Sequence, residues 1–466
     1  MSRSKFKSSR RIDAVEVTSD CLTGRAGLHL FARYLRGIEL YPHLDRLFGS
    51  MRKHSKGHPI IDLFIQVFCF FFDGTSRHLT HFDSLAKDAG YAATIEFAPQ
   101  EMVSSHSVKR FFQAFSWPRI FLFRRLLLQL FLWRLKMSKP PVVILGLDTM
   151  VMDNDDAPKR HGVKPTYKKV LGFQPLQMTW GRYIIDAVFR GGDKHSNHGD
   201  TAAKMIQHAV HLIRTRYATD VPIIIRMDSG FCDQKLMKTI EALDVGYVCG
   251  GRFLAEIKGL IESTPQENFQ RHFGRSDEDI WEFFEFGDRR GTWNRFRRAI
   301  FWRPFLEEKQ FLLPGSRPGT LAYTNLGMGF AVDEQLEKAG LSGMVQAEGV
   351  IATYHGRGAD ELVHRSFKDF GFEELPFLRF APNAAFYYCM LVAFFLFEAF
   401  KEDVTTPVVP VTAMPVTLRR KLVDVAAKIV THAGRTILKL TDVVMETLHF
   451  KELWKRCLSA PKFAWS

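Results

Sequence analysis

The sequence predicts a mixed α/β chain: a basic, helical N-terminal region ahead of a sheet-built core. Three observations carry this. Apolar residues such as Phe31, Tyr34, Leu35 and Ile38 recur at 3.6-type spacing between Gly27 and about Lys136. At Pro140-Pro141 the texture changes to short apolar and β-branched runs, 142–147 and 221–225, bounded by turn residues. Between them the order is strand, hairpin and helix, then strand, helix and strand, which suits a mixed sheet with helices on both faces.

Taken in order, residues 1–20 are polar and basic and read as an arm. Residues 60–72 form an apolar helix. Ser104 to Ser107 sit ahead of Val108-Lys109-Arg110-Phe111-Phe112, so a serine N-cap opens a basic-aromatic helix. That helix either docks on phosphates or buries Phe111 and Phe112 as an ordinary amphipathic helix. A long helix covers 118–136, with Arg124, Arg125 and Arg134 on it. Residues 142–147 form a buried strand ending at Asp148. Residues 176–180 and 183–189, split by Gly181-Arg182, form a hairpin. Residues 201–216 are helical. The strand 221–225 leads into Arg226-Met227-Asp228-Ser229-Gly230-Phe231, a helix spans 234–243 and a strand 245–249.

From 251 to 330 the rhythm breaks, and a mostly β insertion is expected. Trp281, Phe283, Phe286, Trp293, Phe296 and Trp302 interleave with Arg289, Arg290, Arg295, Arg297 and Arg298. Rings and guanidinium groups together suit DNA contact, and equally suit a sheet with one aromatic, buried face. A helix over 333–339 precedes the charged segment 354–368, and an apolar helix follows at 383–400. Residues 405–415 read as a linker. The end reads as a basic helix with Arg419, Arg420, Lys421 and Lys428, then a tail. The expected divisions are a helical region 1–136 for DNA-end binding, core halves 137–250 and 331–402 around the insertion 251–330, and a helical segment 403–466.

Composition narrows the function class. The 466 residues are 46% hydrophobic, ordinary for a globular protein, with a formal net charge of +14. The isoelectric point near 9.5 points to a polyanionic partner, nucleic acid first. Six scattered cysteines with no C-x2-C pair argue against structural zinc and for free thiols in a reducing cytoplasm. No apolar segment follows the basic N-terminus, so no signal peptide is expected. The runs 60–72 and 384–397 are shorter than a ~20-residue membrane span and read as core helices, so no membrane partner is expected.

The segment 354–368 organises the chemistry. Tyr354, Arg357, Glu361 and Lys368 fall at roughly 0°, 300°, 340° and 320° on a helical wheel, a sector of about 60°. One stripe then carries a carboxylate, two cations and a phenol, which suits metal and phosphate binding. A solvated, ion-paired helix face would look the same. Asp360 lies about 100° off the stripe. Asp148 and Asp228 each end an apolar strand, where open sheets usually carry their sites. Each could instead be a turn or cap residue.

Tyr354-x2-Arg357-x3-Glu361-x6-Lys368 resembles the Y-x2-R-x3-E-x6-K signature of bacterial insertion-sequence transposases of the DDE type. The resemblance covers roughly residues 140–400 and is strengthened by the two strand-end aspartates. It implies a ribonuclease-H-like catalytic core with a DNA-contacting insertion. Asp148, Asp228 and Glu361 become the catalytic metal ligands, holding two Mg2+ ions, for which Mn2+ would substitute. Arg357 and Lys368 bind terminal phosphates, and Tyr354 shares that contact or orients Glu361. Asp153, Asp155 and Asp156 are secondary ligand candidates, and Lys164, Lys168 and Lys169 a loop that either meets DNA or is solvated.

The resemblance also implies the reaction. Water nicks the element's ends, and the freed 3′-hydroxyl attacks target DNA, with no covalent protein–DNA intermediate. The partners are double-stranded DNA, as terminal inverted repeats and as target, and a second copy of the chain when two ends are held. The expected setting is the bacterial cytoplasm, at the nucleoid. A metal-dependent nuclease that does not join ends, or a DNA-binding protein without catalysis, are the other readings.

Overall fold

The computed structural model describes residues 12, 14–51, 57–273, 280–305 and 319–465. The expected basic arm lies, through residue 11 and at residue 13, outside the described residues.

Five strands build the core: β1 (Val143–Thr149), β2 (Leu176–Trp180), β3 (Tyr183–Val188), β4 (Ile223–Met227) and β5 (Gly246–Gly250). Their spatial order is β3-β2-β1-β4-β5, with β1, β4 and β5 parallel and the β2–β3 hairpin antiparallel. This is the ribonuclease-H-like arrangement. Parallel strands covered on both faces read as continuous apolar runs, which is why Ile223, Ile224 and Ile225 are all fully buried. The hairpin turns at Gly181, whose φ of 57° suits glycine.

The insertion extends this same sheet. Four strands, β6 (Gln270–Phe273), β7 (Ile280–Asp288), β8 (Arg297–Pro304) and β9 (Thr320–Thr324), continue it antiparallel from β5 to make nine strands. It opens with a helix, Ala255–Ser263, that the aromatic-arginine pattern does not reveal. Phe283 and Trp302 are fully buried and Trp293 nearly so. Arg295 and Arg297 both bond Glu241, at the end of the helix Gln234–Glu241. Arg298 bonds Glu285 at 2.6 Å, while Phe296 stays 61% exposed. Most of this interleaving therefore builds the sheet and locks it to the core.

The N-terminal region is helical, with α1 (Ile60–Asp73), α2 (Ser105–Gln113) and α3 (Trp117–Ser138) as its main members. Ser104 caps α2 by accepting from the Ser107 N–H; Phe111 and Phe112 are buried, while Lys109 and Arg110 are exposed. The centre of the molecule is α4 (Phe380–Phe400), packed against α1, α3 and β3. With the turn after it, Phe380–Thr405 is long and apolar enough to cross a membrane, beyond the expected core-helix run. Its apolar window is 89% buried in protein, however, which is the position of a core helix. Phe72 of α1 stacks on Phe31 at 4.0 Å and meets Phe397 and Phe400 edge-on. Arg124 of α3 clamps buried Asp186 of β3 with bonds of 2.7 and 2.6 Å.

The C-terminal segment departs from the helical expectation in part: the helices Asp442–Thr447 and Phe450–Leu458 close it, but strands stand where the basic helix was expected to run on. The helical turn Arg419–Val423 ends early, and Lys428 lies on the strand Ala427–His432. That strand pairs with Arg435–Lys439 and with Cys21–Thr23 in a three-stranded sheet. Arg419 is not a surface cation. Its guanidinium donates to the carbonyls of Phe71, Phe72, Asp369 and Phe370, tying together two helix C-termini.

Candidate active site

Strand register places the first two carboxylates. Leu147 of β1 pairs with Met227 of β4 in parallel, so Asp148 and Asp228, one residue on, emerge side by side at the same sheet edge. Each is fixed by local backbone. Asp148 Oδ1 accepts from the Thr149 N–H at 2.7 Å, and Asp228 Oδ1 from the Gly230 N–H at 2.9 Å. Burial first, and then the charge of Asp228, pushes the Asp148 carboxyl from its usual 3.8 up to about 6, against the pull of Arg357.

The segment 354–368 is not one helix, as the stripe requires. It is two, α5 (Ala347–His355) and α6 (Arg357–Phe370), joined at Gly356. Arg226 comes close at this junction: a Cβ on Gly356 would lie 2.2 Å from Arg226 Nη1. That nitrogen donates to the Thr353 carbonyl at 3.1 Å, satisfying a carbonyl at the end of α5. Tyr354 therefore sits on α5 while Arg357, Glu361 and Lys368 share α6. The break still brings Tyr354 and Arg357 to one cleft of about 210 Å3, with Asp228, Ser229 and Phe253 in its wall. The Tyr354 hydroxyl packs on Gly250, where any side chain would collide with it at 2.7 Å.

Arg357 is central. Its Nη2 lies 3.8 Å from Asp148 Oδ2 and 3.5 Å from Glu361 Oε1. Burial alone would lower the guanidinium's pKa, but Asp148, Tyr354, Asp228 and Glu361 together hold it above its usual value. The Glu361 side chain is 64% exposed and turned toward Arg357. Lys368 lies farther along α6 and is held by Glu373 at 2.6 Å. Asp360 faces inward, off the stripe as expected. It accepts from Arg226 Nε at 2.9 Å and from the Thr179 hydroxyl at 3.0 Å.

The secondary ligand candidates go elsewhere. Asp155 accepts from the Leu171 N–H, and Asp153 from the Asp155 N–H at 2.9 Å. With Asp156 they line a depression distinct from the Tyr354–Arg357 cleft, together with Lys368, Glu373 and Glu374. Two residues outside the signature stand at the site. Tyr167, 62% exposed, has its hydroxyl pKa raised by partial burial and then by Asp148 and Asp228. His364 Nδ1 lies 3.9 Å from Asp148 Oδ2, and its Nε2 is buried with no hydrogen-bond partner. Burial, with Lys368, Arg357 and Lys168 nearby, pushes its pKa down to about 4, so the imidazole is neutral at pH 7. The sequence holds a signal for it: Glu361-x2-His364 is a Glu-x-x-His pair, a spacing used by helical metal centres.

Residues 5–461 match the family described as transposase DDE domain, group 1. The chain belongs to the DDE transposases. The cryo-EM structure of a piggyBac transposase synaptic complex with hairpin DNA is similar over 93% of this chain and 82% of that one, at 12% identity and a TM-score of 0.38. No curated protein matches.

DDE transposases are expected to work with divalent metals, and the donor set in this transposase suits them. Burial first, and the neighbouring Asp228 second, make the charged form of Asp148 costly, as its raised pKa shows, and a hard cation relieves that cost. Among the described residues, no three His, Cys, Asp or Glu side chains form a ready metal cage. Glu361 would have to turn from Arg357 to join the two aspartates.

Proposed function

We propose that this chain cuts and joins the ends of its own insertion sequence, working in the bacterial cytoplasm at the nucleoid. The observation that supports this best is the half-buried pair Asp148 and Asp228 at one sheet edge, with Arg357 spanning Asp148 and Glu361. Asp148, Asp228 and Glu361 would hold two Mg2+ ions, or Mn2+, which when bound activate oxygen nucleophiles and stabilise the leaving oxygen at phosphorus.

The chain's own groups do the rest. Arg357, kept charged by its acidic neighbours, offers a planar fork to a terminal phosphate. Tyr354 bonds Arg357 and so orients that fork. Lys368 offers a second cation, which a phosphate would draw from Glu373. In the first step water breaks the phosphodiester at the element end and leaves a 3′-hydroxyl. In the second, that hydroxyl attacks a target phosphodiester, forming one bond as the other breaks, and the displaced 3′-oxygen takes a proton. Holding two ends calls for two copies of the chain. The exposed insertion surface around Phe296 and the basic α2 face, Lys109 and Arg110, are the DNA contacts we assign.

The test uses a plasmid carrying the DNA that flanks the gene. Wild type is expected to give cuts at the element ends and joined products with Mg2+ and none with EDTA, and Glu361→Gln to lose both. Cuts without joining would mean a nuclease. Binding without cuts, indifferent to Mg2+, would mean a silent DNA-binding protein. Arg357→Ala is expected to weaken end binding by roughly 10-fold, about the 1–3 kcal/mol of a charge-assisted pair, with the fold intact by circular dichroism. Normal end binding by gel shift would remove Arg357 from the site.

A further inference from the structure

We infer that His364 is a nitrogen ligand of the divalent cation held at Asp148, so that the centre mixes carboxylate with imidazole. This rests on the reading of Asp148 as a metal ligand and goes beyond the three-carboxylate set.

Three observations carry it. His364 is 8% exposed, and its Nε2, the ring nitrogen other than the one that faces Asp148, is buried without a hydrogen-bond partner, so no bond on that side accounts for the ring's place. Its Nδ1 faces Asp148 Oδ2 at 3.9 Å, too far for a hydrogen bond. The ring therefore does not position Asp148 by bonding it, yet it looks at the carboxylate across a gap. Finally, His364 follows Glu361 by three residues on α6, on the same side of the helix as Glu361 and Arg357. A cation between Asp148 and α6 would meet an imidazole there as well as the swung Glu361 carboxylate.

The chemistry has a consequence. Carboxylates suit Mg2+, Ca2+ and Mn2+ alike, whereas an imidazole nitrogen is accepted more readily by a transition metal than by Mg2+. A nitrogen donor moves the preference of this centre from Mg2+ toward Mn2+.

The experiment uses the full chain with Mn2+ alone, read by titration calorimetry and by electron spin echo modulation from directly bound 14N. Wild type is expected to show imidazole-nitrogen modulation. His364→Gln is expected to lose it, to bind Mn2+ at least roughly 10-fold more weakly, and to lose less affinity for Mg2+. His364→Asn, judged by the same melting curve, replaces it if the glutamine variant does not fold. Wild type without nitrogen modulation, or modulation that survives in both variants, overturns the assignment. Asp148→Asn separates the two readings. If it binds Mn2+ as wild type does, the metal role of Asp148 falls and this inference with it. If it abolishes binding while the His364 variants bind normally, only the inference falls.

Discussion

Asp148→Asn is expected to abolish DNA cleavage and, at pH 7.5 without metal, to melt at a higher temperature than wild type. The loss of activity follows from removing a charged ligand whose ion supplies several kcal/mol of transition-state stabilisation, on the order of 10³-fold or more in rate. The gain in stability follows from the environment of Asp148. Burial and Asp228 raise its pKa from 3.8 to about 6 in the folded chain. Above pH 6 the folded state holds an ionised carboxylate it disfavours, whereas the unfolded chain does not. The penalty is zero below the unfolded pKa, grows as pH rises from about 4 to about 6, and then stays constant, at up to roughly 3 kcal/mol. Asparagine fills the same space without the charge. The melting temperatures of variant and wild type should therefore converge as pH falls toward 4 and separate as it rises past 6. Added Mn2+ or Mg2+ should raise the wild-type curve and leave the variant's in place. An equal gap at pH 4.5 and 7.5 would sink the electrostatic account, and retained cleavage would sink the catalytic one.

Much of the core was legible because it is local. Apolar runs closed by Asp148 and Asp228 marked two strands to within two residues, and the helix Thr201–Arg216 matches its expected bounds. The juxtaposition of the two aspartates was not local. It depends on the register of Leu147 with Met227, which no spacing along the chain states. The break at Gly356 was hidden because a single glycine is tolerated in helical patterns, and the Arg226 guanidinium that lies against it comes from β4, far away in sequence. His364 is hidden in the sequence because it adds no charge to the stripe, although the Glu-x-x-His spacing is present. The insertion's arginines were ambiguous because their partner, Glu241, comes from a helix more than fifty residues earlier. The C-terminal hairpin had its own signal, Ala433-Gly434 at φ of 50° and 72°, a two-residue turn between β-branched residues. The basic residues around it pointed instead to a helix.

The second large effect is expected at Asp360, the residue that fastens α6 to the sheet. One carboxylate oxygen accepts from Arg226 Nε, with Nη2 2.8 Å away, and the other accepts from Thr179 on β2. Arg226 also holds the end of α5 through the Thr353 carbonyl. The contact is close enough to forbid a side chain at Gly146, whose Cβ would lie 2.5 Å from Asp360 Oδ2. Burial raises the Asp360 pKa and Arg226 opposes it, so the pair partly cancels its own desolvation and adds little net stability. Removing one partner is different. Asp360→Ala leaves Arg226, only 11% exposed in its side chain, as an uncompensated buried charge, at a cost of roughly 3–5 kcal/mol. Asp360→Asn keeps the size and the bond to Thr179 and should cost less. Because α6 carries Arg357, Glu361 and His364, the alanine variant should also lose cleavage at temperatures where it is still folded, as the cationic and acidic groups drift from Asp148. Denaturation monitored by far-UV circular dichroism, with cleavage measured below the transition, separates the two effects. An Asp360→Ala chain that melts with wild type would mean that α6 is held by its apolar face, Val363, Phe367 and Phe370, and that the Asp360–Arg226 pair only sets its register.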